Sequence, residues 1–129
     1  MNSFRAEIER AKAERKNRID KKADEVFCYF LKQGLAKDLK DRLVNAIDKG
    51  YNSYSIMISL DSNSPMKISL CDKQFIDDKH IEIDECNAIL IGLRNRLSIF
   101  FNDYFGLKYR IKNSMSSTLY WTEYEFDLD

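Results

Sequence analysis

The sequence predicts an α+β fold in which an antiparallel sheet of four or five strands packs against helices, with a long charged helix at the amino terminus. Helical periodicity dominates residues 3–49 and 84–106, whereas strict alternation of apolar and polar residues marks 53–71 and 107–128. The resulting order is ααββ(β)αββ, which lacks the regular βαβ alternation of a parallel sheet. Because each strand pattern has only one apolar face, we expect the helices to cover one side of the sheet.

The length of the chain limits it to one hydrophobic core. It has 129 residues, of which 44% are hydrophobic and 33% charged, enough for one core and too few for two ordinary domains. We predict a charged helical extension, residues 1–22, that is continuous with the first core helix. Residues 23–129 are predicted to form a single α+β domain.

The first helix is predicted to run through residues 3–33, which contain no glycine or proline, and to end at Gly34. Its first half has only a thin apolar stripe: Phe4, Ile8, Ala11 and Ile19. Its second half has a broader stripe typical of a core face: Ala23, Val26, Phe27, Phe30 and Leu31. We therefore expect the first half to project from the domain or to dock on another molecule. A second amphipathic helix is predicted at 36–49.

The alternating patterns predict a hairpin with strands at 53–61 and 66–71, and a final hairpin with strands at 107–112 and 118–128. Residues 113–116 are turn-like, and 72–83 is predicted as a loop with an optional third strand at 80–83. The broad apolar stripe of 84–106 predicts a central core helix that acts as a scaffold. This helix is predicted to begin at Asp84, as its amino-terminal cap, and to end at Gly106.

The sequence contains no motif that predicts catalysis, a metal site or a cofactor. It has no GxxxxGK[ST], GxGxxG or HExxH pattern, and its cysteines, Cys28, Cys71 and Cys86, form no CxxC pair. The single histidine, His80, is interpreted as part of a charged surface loop, and Cys86 as a buried structural thiol. No small-molecule ligand is evident, and the sequence favours a non-enzymatic protein.

Two surfaces are predicted to bind a partner. Residues 5–22 carry eight basic and four acidic side chains, a net charge of +4; the candidate contacts there are Arg10, Arg15 and Arg18. In the final hairpin, a turn at 113–116 would place Lys108 and Arg110 across from Trp121 and Leu119, a composition typical of interface hot spots. The alternative is that Trp121 is core beneath the helices, because the sequence does not determine which sheet face they cover.

The leading functional hypothesis is a small protein–protein interaction or assembly protein, acting as a regulator, an inhibitor or a structural component, with a protein partner or by self-association. The alternative is nucleic-acid binding through the basic helix and the row of Lys108, Arg110 and Lys112. Four glycines and one proline beside many Ile, Lys and Asn are compatible with a phage or mobile-element origin. No apolar run approaches the roughly 20 residues of a membrane span. We therefore expect a cytoplasmic protein, located in the host cytoplasm or the virion if it is phage encoded.

Overall fold

The computed structural model describes residues 3–63, 65–116 and 118–129 and confirms the α+β fold. The helices are α1 (Ser3–Lys32), α2 (Leu35–Asp48) and α3 (Ile83–Tyr104). The strands are β1 (Ser53–Asp61), β2 (Met66–Leu70), β3 (Lys73–Asp77), β4 (Tyr109–Met115) and β5 (Leu119–Asp127). They form one antiparallel sheet in the order β3-β2-β1-β5-β4.

Strand β1 lies at the centre of the sheet and pairs with β2 on one side and with β5 on the other. Ile58 is opposite Leu70 in β2, and Ile56 is opposite Tyr124 in β5. These inward residues are all buried, because successive side chains of a strand point to opposite faces of the sheet. The alternation in the sequence therefore predicts correctly which side of the first hairpin faces the core.

The third strand lies at Lys73–Asp77, so its predicted position at 80–83 was wrong. Strand β2 turns directly into β3 through Cys71 and Asp72, and Cys71 adopts a positive φ of 52°. The inward residues of β3 are Phe75 and Asp77. A charged residue at an inward position breaks the alternation of apolar and polar residues, which removes the sequence signal for this strand.

Helix α3 packs against both α1 and the sheet. The ring of Phe101 contacts the rings of Tyr124 and Phe126, with centroids 5.1 Å apart in both cases. The helix begins at Ile83 with Glu82 at the cap position, so the prediction that Asp84 caps it was wrong. Gly106 follows its carboxyl end with a φ of +62°, the left-handed conformation expected there.

The first half of α1 buries none of its side chains against the rest of the described chain, although Arg18 pairs with Glu85 of α3. All residues from 3 to 18 are exposed, and the first fully buried residue is Ala23. We call residues 3–18 the arm. At a rise of about 1.5 Å per residue the arm is about 24 Å long. It therefore projects from the domain, one of the two arrangements predicted for it, while the division at residue 22 stays a prediction.

Candidate functional site

The helices lie on one face of the sheet, and Trp121 lies on the other. Helix residues such as Phe30 and Leu93 share one core cluster with the inward strand residues Ile58 and Tyr124. Trp121 alternates with the buried Thr122 along β5 and is itself only partly buried. Of the two positions predicted for Trp121, the structure therefore shows the one on the sheet face opposite the helices.

The strand register differs from the one predicted for the final hairpin. In the structure Arg110 is opposite Glu125, Lys112 is opposite Glu123, and Ser114 is opposite Trp121. The prediction that Lys108 and Arg110 lie across from Trp121 and Leu119 was therefore wrong. The turn begins only at Ser116, whose N–H donates to the carbonyl of Leu119 at 2.8 Å.

The side chain of Asn113 explains why β4 continues through residues that are turn-like in sequence. Its Oδ1 accepts hydrogen bonds from Arg94 Nη1 at 3.0 Å and from Thr122 Oγ1 at 2.8 Å. These bonds join β4 to α3 and β5 and hold Asn113 in the strand. Contacts between residues distant in the sequence thus override the local turn propensity.

The cations of β4 form ion pairs instead of stacking on Trp121. Arg110 pairs with Glu125, and Lys112 Nζ lies 3.8 Å from Glu123 Oε2. Lys108 is exposed and lines a hollow of about 500 Å³ together with Arg110 and Glu125. Because β4 is an edge strand, its lysine and arginine side chains also suit it to resist pairing with other strands.

Trp121 belongs to a row of side chains that crosses all five strands. Its neighbours in that row are small or polar: Gln74, Ser69, Ser59 and Ser114. Met57 and Ile76 lie on the same face and are about half exposed, and Leu119, two residues from Trp121 on that face, is partly exposed. The open sheet face, defined by Trp121, Leu119, Met57 and Ile76, therefore combines apolar side chains with short polar ones.

The predicted contacts of the arm have different environments. Arg18 Nη2 lies 2.6 Å from Glu85 Oε1 at the start of α3, and this ion pair lowers the pKa of Glu85. Arg10 and Arg15 are exposed, and neither forms an ion pair with another described residue. Arg18 therefore fixes α1 against α3, whereas Arg10 and Arg15 remain accessible to a partner.

Half of the acidic side chains in segment 72–85, namely Asp72, Asp77 and Glu85, pair with cations of α1 and α2. Asp72 pairs with Arg42, and Asp77 Oδ2 lies 2.8 Å from Lys22 Nζ. Burial alone would raise the pKa of Asp77, but the Lys22 ammonium and the backbone N–H of Lys79 outweigh it, so this pKa is lowered. Within the described ranges, no three His, Cys, Asp or Glu side chains are grouped so that they could hold a metal ion.

His80 and Cys86 occupy the environments that the sequence predicts for them. His80 Nε2 lies 3.2 Å from Glu82 Oε1, and both side chains are exposed. Cys86 is fully buried, and burial together with the nearby Glu85 carboxylate raises the pKa of its thiol to about 11. The thiolate that a nucleophilic or metal-binding cysteine needs is therefore disfavoured at neutral pH.

One apolar surface was missed because α3 was interpreted only as a scaffold. An open groove of about 410 Å³ lies between the carboxyl-terminal halves of α1 and α3. We call it the α1–α3 groove, and its apolar lining residues are Phe27, Leu31, Ile99, Phe100 and Tyr104. Ile99 is 63% exposed and Tyr104 is 55% exposed. The signal for this surface was the width of the apolar stripe of α3, which exceeds what a surface helix normally buries.

Comparisons with known proteins add no relationship to these observations. The sequence matches no protein-family model, no curated protein and no solved structure. None of the helices in the described part of the chain is both long and apolar enough to cross a membrane.

Proposed function

We propose that this is a small non-enzymatic protein that binds another protein through its open sheet face. The observation that supports the proposal most is Trp121, partly exposed on that face and flanked across the strands by Ser59 and Ser114. Tryptophan is enriched at the energetic centres of interfaces. Its large rigid ring loses much water contact and little conformational entropy when a partner covers it.

The surroundings of Trp121 resemble the anatomy of an interface. Met57 and Leu119 add apolar area close to the indole, whereas the pairs Arg110–Glu125 and Lys112–Glu123 lie further along the same face. An apolar centre with polar surroundings is the usual arrangement of protein–protein contacts. Because these four charges already form ion pairs, this part of the face suits a partner of mixed composition better than a highly charged one.

Nucleic-acid binding, the alternative, has weaker support. Three of the cations on which it depends, Arg18, Arg110 and Lys112, already have carboxylate partners within the chain. The other cations of the basic helix are interspersed with carboxylates, so they form no continuous cationic surface for a phosphate backbone: Arg5, Arg10, Lys12, Arg15, Lys16 and Lys21 alternate with Glu7, Glu9, Glu14 and Asp20. A role as a regulator, an inhibitor or a structural component of a phage or mobile element, and a cytoplasmic location, stay predictions.

The test compares Trp121→Ala with Met115→Ala, a control on the opposite face of the same hairpin. Proteins captured from the native host by the immobilised wild type are purified, and their affinities for all three chains are measured by titration calorimetry. We expect Trp121→Ala to weaken binding about 30-fold, which corresponds to about 2 kcal/mol for a hot-spot residue. Met115→Ala should bind like the wild type, because Met115 does not belong to the open sheet face.

The outcome separates the two functions. Equal affinity of Trp121→Ala and wild type for every captured protein would contradict the proposal. Binding to single- or double-stranded nucleic acid that falls steeply between low and moderate salt would favour the alternative instead.

A further inference from the structure

Arg94 differs from the other arginines of residues 23–129, because no carboxylate of a described residue pairs with it. The others, Arg42, Arg96 and Arg110, each form an ion pair. The residues outside the described ranges include no Asp or Glu. Arg94 is partly buried in α3, where water screens its charge less than it screens an exposed one. An anion from outside the chain would therefore be attracted to this position more strongly than to an exposed arginine.

The hydrogen bonds of Arg94 leave one edge of its guanidinium open. Its Nη1 donates to Asn113 Oδ1 at 3.0 Å and to Thr122 Oγ1 at 3.4 Å, and no described residue accepts a hydrogen bond from its Nε or Nη2. Nε and Nη2 present two parallel N–H groups, the pair that can bind both oxygens of a carboxylate at once. Because Nη1 is held by β4 and β5, the open edge is oriented before a ligand arrives.

The Arg94 guanidinium lines a hollow of about 340 Å³ between α3 and the last hairpin. We call it the Arg94 hollow. Arg94 is the one charged residue among the described residues that line it. An anion in the hollow therefore meets no carboxylate in the wall, and a ligand with a single negative charge balances the site better than a doubly charged phosphate.

The other end of the Arg94 hollow is polar and uncharged. There Asn87 Nδ2 donates to the hydroxyl oxygen of Tyr120 at 3.3 Å. Asn87 lies about 10 Å from Arg94 along the axis of α3. Between them Leu90 and Ile91 line the hollow, and Ile91 is 50% exposed. The hollow therefore combines a cationic end with an apolar middle long enough for a short carbon chain.

From these observations we infer that the Arg94 hollow binds a small monocarboxylate, with its carboxylate on Nε and Nη2 of Arg94 and its apolar chain against Leu90 and Ile91. The volume is near the lower end of the range for ligand pockets, roughly 300–1,000 Å³, which suits a small molecule. Asn113 and Thr122 hold the guanidinium on the helix side of the sheet. The inference goes beyond the proposed function and does not depend on the open sheet face.

The size of the ligand predicts weak binding. Hexanoate, with about eight non-hydrogen atoms, should have a Kd in the millimolar range. It should bind about tenfold more tightly than acetate, because the burial of two methylene groups is enough for that factor. Hexanamide has the same chain without the charge and should bind at least about tenfold more weakly than hexanoate.

The test is an NMR titration of the ¹⁵N-labelled full chain with hexanoate, acetate, hexanamide and inorganic phosphate at constant ionic strength. The Nε–H signal of Arg94 reports binding at the site itself. Arg94→Gln should weaken hexanoate binding at least about tenfold. Arg110→Gln is the matched control, because it removes the same charge from an arginine that pairs with Glu125 away from the hollow. It should bind hexanoate like the wild type.

A second variant leaves the hydrogen bonds of Arg94 with Asn113 and Thr122 in place. Ile91→Glu, at a half-exposed position, puts a carboxylate one turn before Arg94 on α3, where it competes with the carboxylate of the ligand. Hexanoate binding should fall at least about tenfold while circular dichroism shows an unchanged fold.

Four results would each overturn the inference. They are an Arg94 Nε–H signal that hexanoate leaves unshifted, equal binding of hexanamide and hexanoate, tighter binding of phosphate than of hexanoate, and an Arg94→Gln or Ile91→Glu variant that binds hexanoate like the wild type.

Discussion

Gly92→Ala should destabilise the protein, although alanine is the better helix former. A Cβ atom at position 92 would lie 2.8 Å from the Cβ of Ala23 on α1. Non-bonded carbon atoms are most favourable at about 3.5–4.0 Å, so α1 and α3 would have to separate by about 1 Å. Such overpacking costs about 1–3 kcal/mol, whereas the change to alanine gains about 1 kcal/mol of helix propensity. The expected net loss in the free energy of unfolding is about 1 kcal/mol.

Urea denaturation followed by circular dichroism measures this loss, and two further variants establish its cause. Asn95→Ala, at an exposed position of the same helix, should be slightly stabilising, because it changes helix propensity without adding a contact to α1. In the double variant Ala23→Gly/Gly92→Ala, removal of the Ala23 methyl should relieve the overlap and give a coupling energy of about 2 kcal/mol, the overpacking cost that is removed. A Gly92→Ala variant that is more stable than the wild type would refute the close approach of α1 and α3.

Two more predictions concern buried titratable groups. Because the pKa of Asp77 is lowered from 3.8, its ionised form stabilises the fold above that pH, and this contribution is lost as the pH falls below it. Asp77→Asn should therefore cost about 2 kcal/mol at pH 7 in urea denaturation, and the difference from wild type should shrink below about pH 4; a constant difference would contradict the assignment. Cys86 should escape alkylation by iodoacetamide in the folded protein at pH 8 and react in urea, as read by mass spectrometry, since its pKa is raised to about 11. Modification of the native protein at the rate of an exposed thiol would contradict its burial.

The sequence predicts the elements whose patterns are long and regular. Residues Ile56, Ile58 and Leu60 alternate over the whole of β1, and the three-and-four spacing in α3 continues for six turns, so local periodicity is enough. Strand β3 differs because its inward Asp77 is stabilised by Lys22, a residue of α1. The five residues of β3 therefore carry no sequence pattern that indicates this ion pair, because Lys22 is distant from them in the sequence.

The candidate surfaces were predicted less completely than the fold, for a related reason. Trp121 was identified from its residue type, but its neighbours depend on the register of β4, which Asn113 fixes through Arg94 and Thr122. The α1–α3 groove depends on which part of a broad apolar stripe the sheet leaves uncovered. The sequence shows which residues of the α3 stripe are apolar. Only the tertiary structure shows which of them are covered by the sheet and α1 and which stay exposed.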